Sequence, residues 1–361
     1  MIREPGSTDR MPTSEFLALL ACPRDQGSLG IRGNFLTCDF GHEYPIVDGI
    51  PVFLVEEDIP TIGLASESLR CARSIASGGQ PDDPWLTSTL GISDAEKQAL
   101  LAQARAGDSS VDLAARFLVA ATNGLLYRNL VGKLDAYPIP ELRLAGEAGE
   151  TFLDVGCSWG RWTIAAARKG FRSVGLDPSL GAVLAARRIT QGMGLDATFV
   201  VGDARRLPFK GDKFRCVFSY SVLQHFEKSN ARVALREIGR ILQPGGGSLI
   251  QMPNCYGLRC LYHQVRRGFR EAREFEVRYW SPSDLRQTFE QTIGATRISA
   301  DCFFGIGLQA SDRLLMSGGH RAVLRASELL RAASVDRPWL TGLADSLYAH
   351  SAKGASERAG K

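Results

Sequence analysis

The residues best suited to chemistry lie in the turn Phe152-Leu-Asp-Val-Gly-Cys-Ser-Trp-Gly160. An apolar run ends near Asp154, and Gly156 and Gly160 then bracket a tight turn into a helix. Glycine lets the backbone approach a ligand closely, and the free N–H groups of a helix start attract polar or anionic groups. Two glycines at this spacing also occur in plain strand-to-helix turns, so this segment alone leaves both interpretations open.

Two later apolar runs also end in carboxylates. Asp177 closes the run Val174-Gly-Leu-Asp, where it is placed to accept both hydroxyls of a ribose. Asp203 follows Gly202, and at that position an acidic side chain and the N–H of Ala204 can read an adenine edge. The carboxylates that close successive apolar runs therefore predict a nucleoside-type ligand.

A fourth apolar run, Phe214 to Ser219, leads into a polar loop that ends at His225, and Leu242-Gln-Pro-Gly-Gly-Gly247 predicts a turn before a fifth run. His225 is the candidate general base, because imidazole titrates near neutral pH. The alternative is a packing role at the start of the helix that follows Glu227.

With these landmarks in order, residues 150–255 resemble the class I S-adenosylmethionine-dependent methyltransferases. A nicotinamide-binding enzyme would favour the three glycines of Gly-x-Gly-x-x-Gly, and only Gly156 and Gly160 are present here. The resemblance implies S-adenosyl-L-methionine as cofactor. The implied cofactor-binding residues are Asp154, Gly156, Cys157, Ser158, Gly160, Asp177, Pro178, Asp203, Ala204, Ser219 and Tyr220.

The chain departs from the family pattern at two positions. Ser158 stands where the family's first loop has its middle glycine, and serine is small enough for that loop. Cys216 stands where an acidic residue is common early in the fourth strand. We interpret Cys216 as a strand-core residue, since no neighbour in sequence would lower the pKa of its thiol.

A second group of candidate ligands lies near the start of the sequence. Cys22-Pro-Arg-Asp25 and Cys38-Asp-Phe-Gly-His42 form two short turns separated by a hairpin-like stretch. Two such turns aim two ligands each at one tetrahedral ion, so Cys22, Asp25, Cys38 and His42 are candidate zinc ligands. Carboxylate is the least common member of such a set.

The surrounding runs Leu19-Leu-Ala-Cys-Pro23 and Tyr44 to Phe53 resemble the small zinc-ribbon-like proteins that activate RNA and protein methyltransferases. The Cys38-to-His42 half is similar to the zinc knuckle of ribosomal RNA guanine methyltransferases. The alternative is a ribbon without metal, held together by its apolar core.

The elements that would position these residues alternate in type. The predicted strands of the central region are Thr151–Val155, Ser173–Leu176, Ala197–Val200, Arg215–Ser219 and Ser248–Met252, with helices between them. This alternation predicts an α/β fold with a doubly wound, Rossmann-like sheet, preceded by a small β-rich zinc-ribbon-like domain. A strand over Thr296–Ala300 with a partner at Phe303–Ile306, and a helix from Val111 to Leu134, complete the prediction.

The expected domains are the ribbon at 13–55, a linker with short helices at 56–110, the methyltransferase domain at 111–310 and a helical tail at 311–361. Acceptor recognition should come from aromatic and polar residues outside the core motifs. The candidates for this pocket are Tyr127, Gln224, Tyr279 and Trp280. Six arginines and three glutamates between Arg259 and Arg278 could hold an anionic group, or form a solvated helix with Arg/Glu pairing.

Composition limits the class of protein. Hydrophobic residues make up 44% and charged residues 23% of the 361 residues, which is typical of a globular protein. No apolar run approaches the roughly 20 residues of a membrane span, and Phe16–Ala21 lacks signal-peptide flanks, so we expect a cytoplasmic protein without membrane insertion. The eight scattered cysteines are then reduced thiols, apart from the pair at the ribbon.

Three functions remain open from the sequence. The first is methyl transfer to a small-molecule or glycan acceptor, and the second is methylation of RNA gripped by the ribbon. Residues 13–55 carry two arginines against five carboxylates, which is unsuited to phosphate binding and makes a nucleic-acid partner the weaker hypothesis. The third is a non-catalytic cofactor- or partner-binding module, which the retained Asp154, Gly156, Asp177 and Asp203 argue against.

Overall fold

The computed structural model describes residues 11–355, apart from 61, 108, 306 and 308 and the side chains of 123, 125 and 126. Eleven strands lie within this described part of the chain. They are β1 (Leu29–Arg32), β2 (Phe35–Cys38), β3 (Glu43–Val47), β4 (Ile50–Pro51), β5 (Thr151–Val155), β6 (Arg172–Asp177), β7 (Ala197–Val201), β8 (Phe214–Ser219), β9 (Leu242–Pro253), β10 (Ala295–Cys302) and β11 (Ser346–Ala352).

Ten α-helices occur in the same described residues. They are α1 (Ser14–Leu17), α2 (Leu64–Ala76), α3 (Asp94–Ala106), α4 (Leu113–Asn123), α5 (Arg161–Arg168), α6 (Leu180–Gly192), α7 (Lys228–Ile241), α8 (Leu258–Arg266), α9 (Pro282–Thr292) and α10 (Gly318–Asp336). Several begin at a capping side chain that accepts a bond from a free backbone N–H: Ser93 before α3, Asp112 before α4, Ser179 before α6 and Ser281 before α9.

The chain forms two compact units. The first unit comprises the residues up to Tyr137 together with Gly156–Ala167 and Ser173–Lys210. The second unit comprises Pro138–Val155, Arg168–Arg172 and the chain from Gly211 onward. The chain therefore passes from one unit to the other directly after β5.

The first unit contains the ribbon, an antiparallel sheet of order β1-β2-β3-β4. Beyond it, β6 and β7 pair in parallel from Ser173 opposite Ala197 to Asp177 opposite Val201. The ribbon meets this pair directly, because Val52 bridges Val201 and the N–H of Phe53 donates to the Val201 carbonyl at 2.7 Å.

One apolar core joins the ribbon to the rest of the first unit. Val47, Ile50, Val52 and Leu54 of the ribbon pack in a single buried cluster with side chains of three other elements. These are Ala65, Leu69 and Ala72 of α2, Leu180, Val183 and Ala186 of α6, and Phe199 and Val201 of β7. The ribbon thus owes part of its hydrophobic burial to segments far along the chain.

The second unit contains five strands of order β10-β11-β9-β8-β5. Pairing is parallel between β5 and β8 and between β8 and β9, and antiparallel where β11 lies between β9 and β10. Parallel strands need crossover connections, and α7 supplies one between β8 and β9. The predicted fold class is confirmed: an α/β Rossmann-like sheet accompanied by a small β-rich N-terminal domain.

The C-terminal part departs from the sequence prediction. Phe303–Gly305 forms bends rather than a strand, with Phe304 in the left-handed region, and residue 306 lies outside the described residues. The partner of β10 is β11, within a segment that we expected to be helical throughout, although α10 does occupy part of it. The pairing of β11 depends on segments far away in the sequence, so a local hydrophobic pattern does not reveal it.

Two further element boundaries were wrong. The predicted turn Leu242 to Gly247 is instead the first half of β9, which starts directly after α7. Within it Gly245 has φ +74°, and the pairing of β9 with β8 shifts register nearby. The helix expected from Val111 to Leu134 ends with α4 at Asn123, because Gly124 adopts φ +101° and a short 3₁₀ helix follows.

Among the helices of the described residues, none combines the length and the hydropathy that a membrane-spanning segment needs.

Substitution of Gly160 by alanine tests the turn that follows β5. Gly160 has φ +85°, and an added Cβ would lie 2.9 Å from the Cβ of Ala186. We expect Gly160→Ala to lower the free energy of unfolding by about 2–4 kcal/mol, from backbone strain plus overpacking. Denaturant unfolding monitored by circular dichroism measures this change.

Gly194→Ala is the matched control, because Gly194 also has a positive φ of +66° but no atom within 4 Å of the added Cβ. It should show only the strain component, about 1 kcal/mol. Equal losses in the two variants would contradict the close packing of the Gly160 turn against α6.

Candidate functional site

The turn after β5 lies in the first unit and has three left-handed residues. Gly156, Ser158 and Gly160 have φ values of +82°, +48° and +85°. The N–H groups of Gly156 and Cys157 both donate to the Leu176 carbonyl, at 2.7 and 3.0 Å, which fixes the turn to the end of β6. The backbone at this turn is therefore held in a conformation that L-residues seldom adopt, with α5 beginning at Arg161.

Ser158 tolerates its left-handed conformation through specific contacts. Its N–H donates to Oδ2 of Asp177 at 2.9 Å, and its hydroxyl lies 2.8 Å from the hydroxyl of Thr122 in α4. Cys157 is buried and Pro178 is half-buried. The serine that replaces the family's glycine is thus stabilised by bonds to two other segments of the unit.

Asp177 joins two turns of the first unit. Its Oδ2 accepts from the Ser158 N–H and its Oδ1 accepts from the Ser179 N–H, each at 2.9 Å. Burial raises the pKa of the Asp177 carboxyl to about 6, although these two bonds act in the opposite direction. An ionised carboxylate has about four lone-pair sites, so two remain for further donors such as a pair of hydroxyls.

Asp203 has a cationic partner that the sequence did not suggest. The Arg205 guanidinium bonds both carboxylate oxygens of Asp203, with Nη2 at 2.6 Å from Oδ2 and Nε at 3.0 Å from Oδ1. The same guanidinium donates to the Ile59 carbonyl, and the bond to Asp203 raises the pKa of Arg205. Ala204 is buried beside this pair. The carboxylate is therefore fixed in place with its charge compensated.

A cavity of about 420 Å³ opens beside Asp203 and Arg205 in the first unit. Its walls combine apolar and charged side chains from the end of the ribbon and from α2. The lining includes Leu54, Glu56, Asp58, Leu69, Arg70 and Arg73. Tyr127, predicted for the acceptor pocket, is buried, and the Arg161 guanidinium lies 5.9 Å from its ring centre.

Two other predicted cofactor-binding residues, Asp154 and Ser219, lie in the second unit near the carboxyl ends of two adjacent strands. Both side chains are buried, and Leu153 and Asp154 of β5 pair with Val217 and Phe218 of β8. The Ser219 hydroxyl donates to the Val155 carbonyl at 2.9 Å. Cys216 is buried within β8, and burial raises the pKa of its thiol to about 11. This environment fits its interpretation as a strand-core residue.

Tyr220 belongs to a buried polar network that sequence reasoning did not find. Its hydroxyl donates to Oδ2 of Asp301 at 2.7 Å and accepts from Nε2 of Gln309 at 2.8 Å. The Ser346 hydroxyl donates to the same Asp301 oxygen at 2.7 Å and accepts from Gln251 at 2.8 Å. Burial raises the pKa of both Asp301 and Tyr220, so the phenol stays protonated. The only sequence signal was a carboxylate at the end of an apolar strand.

His225 is held between a ring and an amide. Its imidazole stacks on Phe275 at 3.9 Å between ring centres, with the two planes within 1°. Its Nδ1 lies 2.7 Å from the Phe275 carbonyl, so Nδ1 carries the proton and Nε2 accepts from Nε2 of Gln224 at 3.2 Å. The pKa of His225 is lowered to about 4, mainly by burial and also by the nearby Arg278, while the bond to the Phe275 carbonyl acts in the opposite direction.

This arrangement leaves one atom of Gln224 unsatisfied. Gln224 is buried, its amide nitrogen faces His225, and its Oε1 has no hydrogen-bond partner among the described residues. A buried acceptor without a donor costs about 1–3 kcal/mol, which a ligand hydroxyl or amine would recover.

The two late aromatic candidates differ in exposure. Trp280 is buried, with the ammonium of Lys228 4.7 Å from its ring centre, so it packs in the core rather than lining an open surface. Tyr279 is half-buried under the Arg267 guanidinium, and burial raises the pKa of its phenol to about 12.

The four predicted metal ligands converge in the ribbon. Potential ligand atoms of Cys22, Asp25, Cys38 and His42 all lie within 4.8 Å of one another. From Nδ1 of His42 the distances are 2.9 Å to Oδ2 of Asp25, 3.3 Å to Sγ of Cys38 and 3.5 Å to Sγ of Cys22. Two tight turns produce this arrangement: the Cys22 carbonyl accepts from Gln26, and the Cys38 carbonyl accepts from Gly41.

The two distances from His42 to the cysteine sulfurs fit a tetrahedral ion, whereas His42 and Asp25 lie at hydrogen-bonding distance. Metal–ligand bonds of about 2.0–2.3 Å place the ligand atoms of a tetrahedral zinc about 3.3–3.8 Å apart. Two thiols, an imidazole and a carboxylate are a donor set that zinc accepts. The hydroxyl of Tyr44, 3.1 Å from the Cys22 sulfur, would orient that ligand from outside the site.

Comparison with known proteins finds similarity in two segments of the chain. Residues 152–246 match the family model described as a methyltransferase domain. A ubiquinone biosynthesis O-methyltransferase of Azorhizobium caulinodans is 28% identical over 106 residues, which is 29% of this chain and 41% of that protein. An uncharacterized methyltransferase of Synechocystis sp. is 30% identical over 131 residues, which is 36% of this chain and 59% of that protein.

A UPF0434 protein of Mannheimia succiniciproducens is 49% identical over 49 residues, which is 13% of this chain but 80% of that protein. The chain thus spans about half the length of the two methyltransferases it matches, and most of the length of the small UPF0434 protein.

Metal analysis tests the ribbon cluster. We expect close to one zinc per chain by mass spectrometry of the purified protein, because four donors already converge on one point. Cys38→Ala should lose the zinc, whereas Cys71→Ala, another buried free cysteine outside the cluster, should retain it. Chelation should also lower the thermal midpoint. A metal-free protein with an unchanged midpoint would support the alternative of an apolar ribbon without metal.

Acid unfolding tests the environment of His225. Unfolded His225 binds a proton below its usual pKa of 6.5, whereas the folded residue does so only near 4. Its contribution is therefore fully present above pH 6.5 and is lost as the pH falls from 6.5 to about 4, on the order of 2–3 kcal/mol. Urea titrations at several pH values measure this slope.

His225→Gln should flatten the slope over this interval. His320→Gln, at an exposed histidine on α10, should leave the slope as it is. An unchanged slope in His225→Gln would contradict the buried, neutral imidazole.

Proposed function

Because the chain belongs to the UPF0434 family and carries a class I S-adenosylmethionine-dependent methyltransferase domain, we propose that it methylates a small-molecule or glycan acceptor through a hydroxyl or amine. The observation that carries the proposal is the turn of Gly156, Ser158 and Gly160 bonded to the carboxylate of Asp177. The cofactor, when bound, supplies a methyl group already activated on a sulfonium. The protein's own task is then to bind, to align and to exclude water.

Asp177 and the turn after β5 are the proposed cofactor-binding groups. The backbone at Gly156 and Gly160 is left-handed, and Gly160 packs so closely that an added Cβ would lie 2.9 Å from the Cβ of Ala186. Asp177 keeps free lone pairs for ribose hydroxyls after its two backbone bonds. Asp203, whose charge Arg205 compensates, would accept a hydrogen bond from the cofactor next to Ala204.

Gln224 is the proposed contact for the acceptor. Its buried, unsatisfied Oε1 fits a hydroxyl or amine N–H, which are the groups that need a proton removed on methylation. Tyr220 directly follows β8, in the same loop as Gln224. Its phenol, held by Asp301 and Gln309, would provide a second fixed polar group there.

For His225, the geometry favours a positioning role over the base role suggested by the sequence. A pKa of about 4 makes the imidazole a weak base at neutral pH, and its Nε2 already accepts from Gln224. His225 would thereby fix the direction of the Gln224 amide, with Phe275 holding the imidazole in place.

RNA as acceptor has less support. Of the two arginines in the ribbon, Arg24 already forms an ion pair with Glu57, while the ribbon's carboxylates outnumber its cations. Tight binding to a phosphate backbone needs several uncompensated cations. The ribbon's contribution is better explained by the apolar core that it shares with α6 and β7.

Calorimetry with S-adenosylmethionine tests the proposed function. Asp177→Ala should weaken binding by about 1–3 kcal/mol, because the ribose hydroxyls lose a matched acceptor. Wild-type affinity should be constant above pH 7 and fall as the pH drops through about 6, where the Asp177 carboxyl takes up a proton. Asp177→Asn should be weak at every pH in this range.

Asp196→Ala is the matched control, since Asp196 is an exposed carboxylate of the same unit. It should bind the cofactor as the wild type does. Unchanged affinity in a folded Asp177→Ala protein would reject the assignment of Asp177 to the ribose.

A further inference from the structure

Helix α8 presents an apolar stripe to solvent. Leu258, Leu261, Tyr262 and Val265 follow the i, i+3, i+4, i+7 spacing of one helix face, and Phe269 continues it after the helix. Each of these five side chains is between 42% and 64% exposed. Such a face normally packs into a core, so its exposure over two turns of helix indicates a partner.

The helix is firmly held with this stripe outward. On its inner face Cys260 is buried and Gln264 donates to the Cys255 carbonyl at 2.8 Å. Oδ1 of Asp345 accepts from the N–H groups of Arg259 and Cys260, at 2.7 and 2.9 Å, and so caps the start of the helix. The inner bonds leave the outer stripe no freedom to turn inward.

Two more exposed apolar side chains lie on a turn that contacts the segment just before this helix. Asn254, just before the helix, donates to the carbonyls of Gly342 and Ala344, each at 2.8 Å. The turn that it binds carries the exposed side chains of Trp339 and Leu343. Tryptophan favours the boundary between water and lipid, because its ring is apolar and its N–H is polar.

Arginines flank the stripe. Arg259, Arg266 and Arg273 are exposed and form no ion pair within the described part of the chain. Arg270 pairs with Glu276 at 2.7 Å, and Arg267 lies 3.8 Å from the same carboxylate. A cavity of about 330 Å³ is lined by His263, Arg266, Arg267, Arg270 and Glu276. The Arg/Glu pairing expected from sequence thus uses one glutamate and leaves an excess of positive charge.

We propose that α8 and its flanking arginines form a docking surface for a bilayer containing anionic phospholipids. The apolar stripe would enter the headgroup–acyl boundary, and the arginines beside it would meet lipid phosphates. A protein partner would need complementary pockets for five separated apolar side chains, whereas a lipid surface accepts them without matched shape. The inference stands on this surface alone and does not depend on the proposed methyl transfer.

Vesicle sedimentation of the full chain tests the surface. We expect binding to phosphatidylcholine vesicles that contain about one quarter phosphatidylglycerol, and at least tenfold weaker binding to pure phosphatidylcholine. Leu261→Ser with Val265→Ser should weaken binding at least tenfold by removing the inserted side chains. Arg259→Gln, Arg266→Gln and Arg273→Gln together should weaken it about fivefold per charge.

Two matched variants control for general changes in polarity and charge. Phe40→Ser with Ile59→Ser removes exposed apolar side chains from the first unit, and Arg105→Gln with Arg236→Gln removes two exposed arginines outside the patch. Both should bind vesicles as the wild type does. Circular dichroism establishes that each variant is folded, which is expected because all the replaced side chains are at the surface.

Three outcomes would overturn the proposal. The first is absence of wild-type binding to the anionic vesicles. The second is full competition by millimolar inorganic phosphate together with unchanged binding of the Leu261→Ser, Val265→Ser protein, which would reduce the surface to a phosphate site. The third is a wild-type dimer that this double variant converts to monomer without any vesicle binding, which would assign the stripe to a second copy of the chain.

Discussion

The carboxylate of Asp177 is the interaction on which the candidate cofactor site depends. One oxygen holds the backbone of Ser158 in a left-handed turn, and the other caps the backbone of Ser179 at the start of α6. Burying this charge is costly, as the raised pKa shows, and two backbone bonds offset only part of the cost. A side chain that is expensive to bury yet remains incompletely satisfied is typical of a group kept for a ligand.

The ribbon and the turn after β5 belong to the same compact unit. Val52 and Leu54 of the ribbon pack in one cluster with Leu180 and Ala186, which lie on the helix that Asp177 helps to begin. The ligand atoms of Cys22 and His42 belong to the same unit. One shared apolar core therefore stabilises both the metal cluster and the turn after β5, rather than two separate cores.

Much of the fold could be predicted from local pattern. The strands that begin near Thr151, Ser173, Ala197 and Arg215 were predicted within one residue at the start, because β-branched runs between helices leave a clear signal. The spacing of Cys22, Asp25, Cys38 and His42 also predicted that their side chains would converge, since two tight turns determine it locally. Both features depend on neighbours in sequence.

What could not be predicted depends on distant pairing. Strand β11 has no strong alternation, and its place between β9 and β10 follows only from tertiary contacts. The bond of Tyr220 to Asp301 and the burial of His225 against Phe275 likewise join segments that sequence spacing does not relate. For His225 this burial changes the chemistry itself, because it moves the pKa away from the range of a neutral-pH base.

The bridge between Val52 and Val201 has a consequence for solubility. Strand β7 pairs with β6 along one side, and on its other side the backbone of Val52 and Phe53 occupies part of the hydrogen-bonding edge. An uncovered edge of this kind is a template for strand addition by another chain. The ribbon thus covers part of the β7 edge. A chain shortened to begin after Leu54 would expose both this edge and the apolar cluster behind it. Such a chain would self-associate into aggregates.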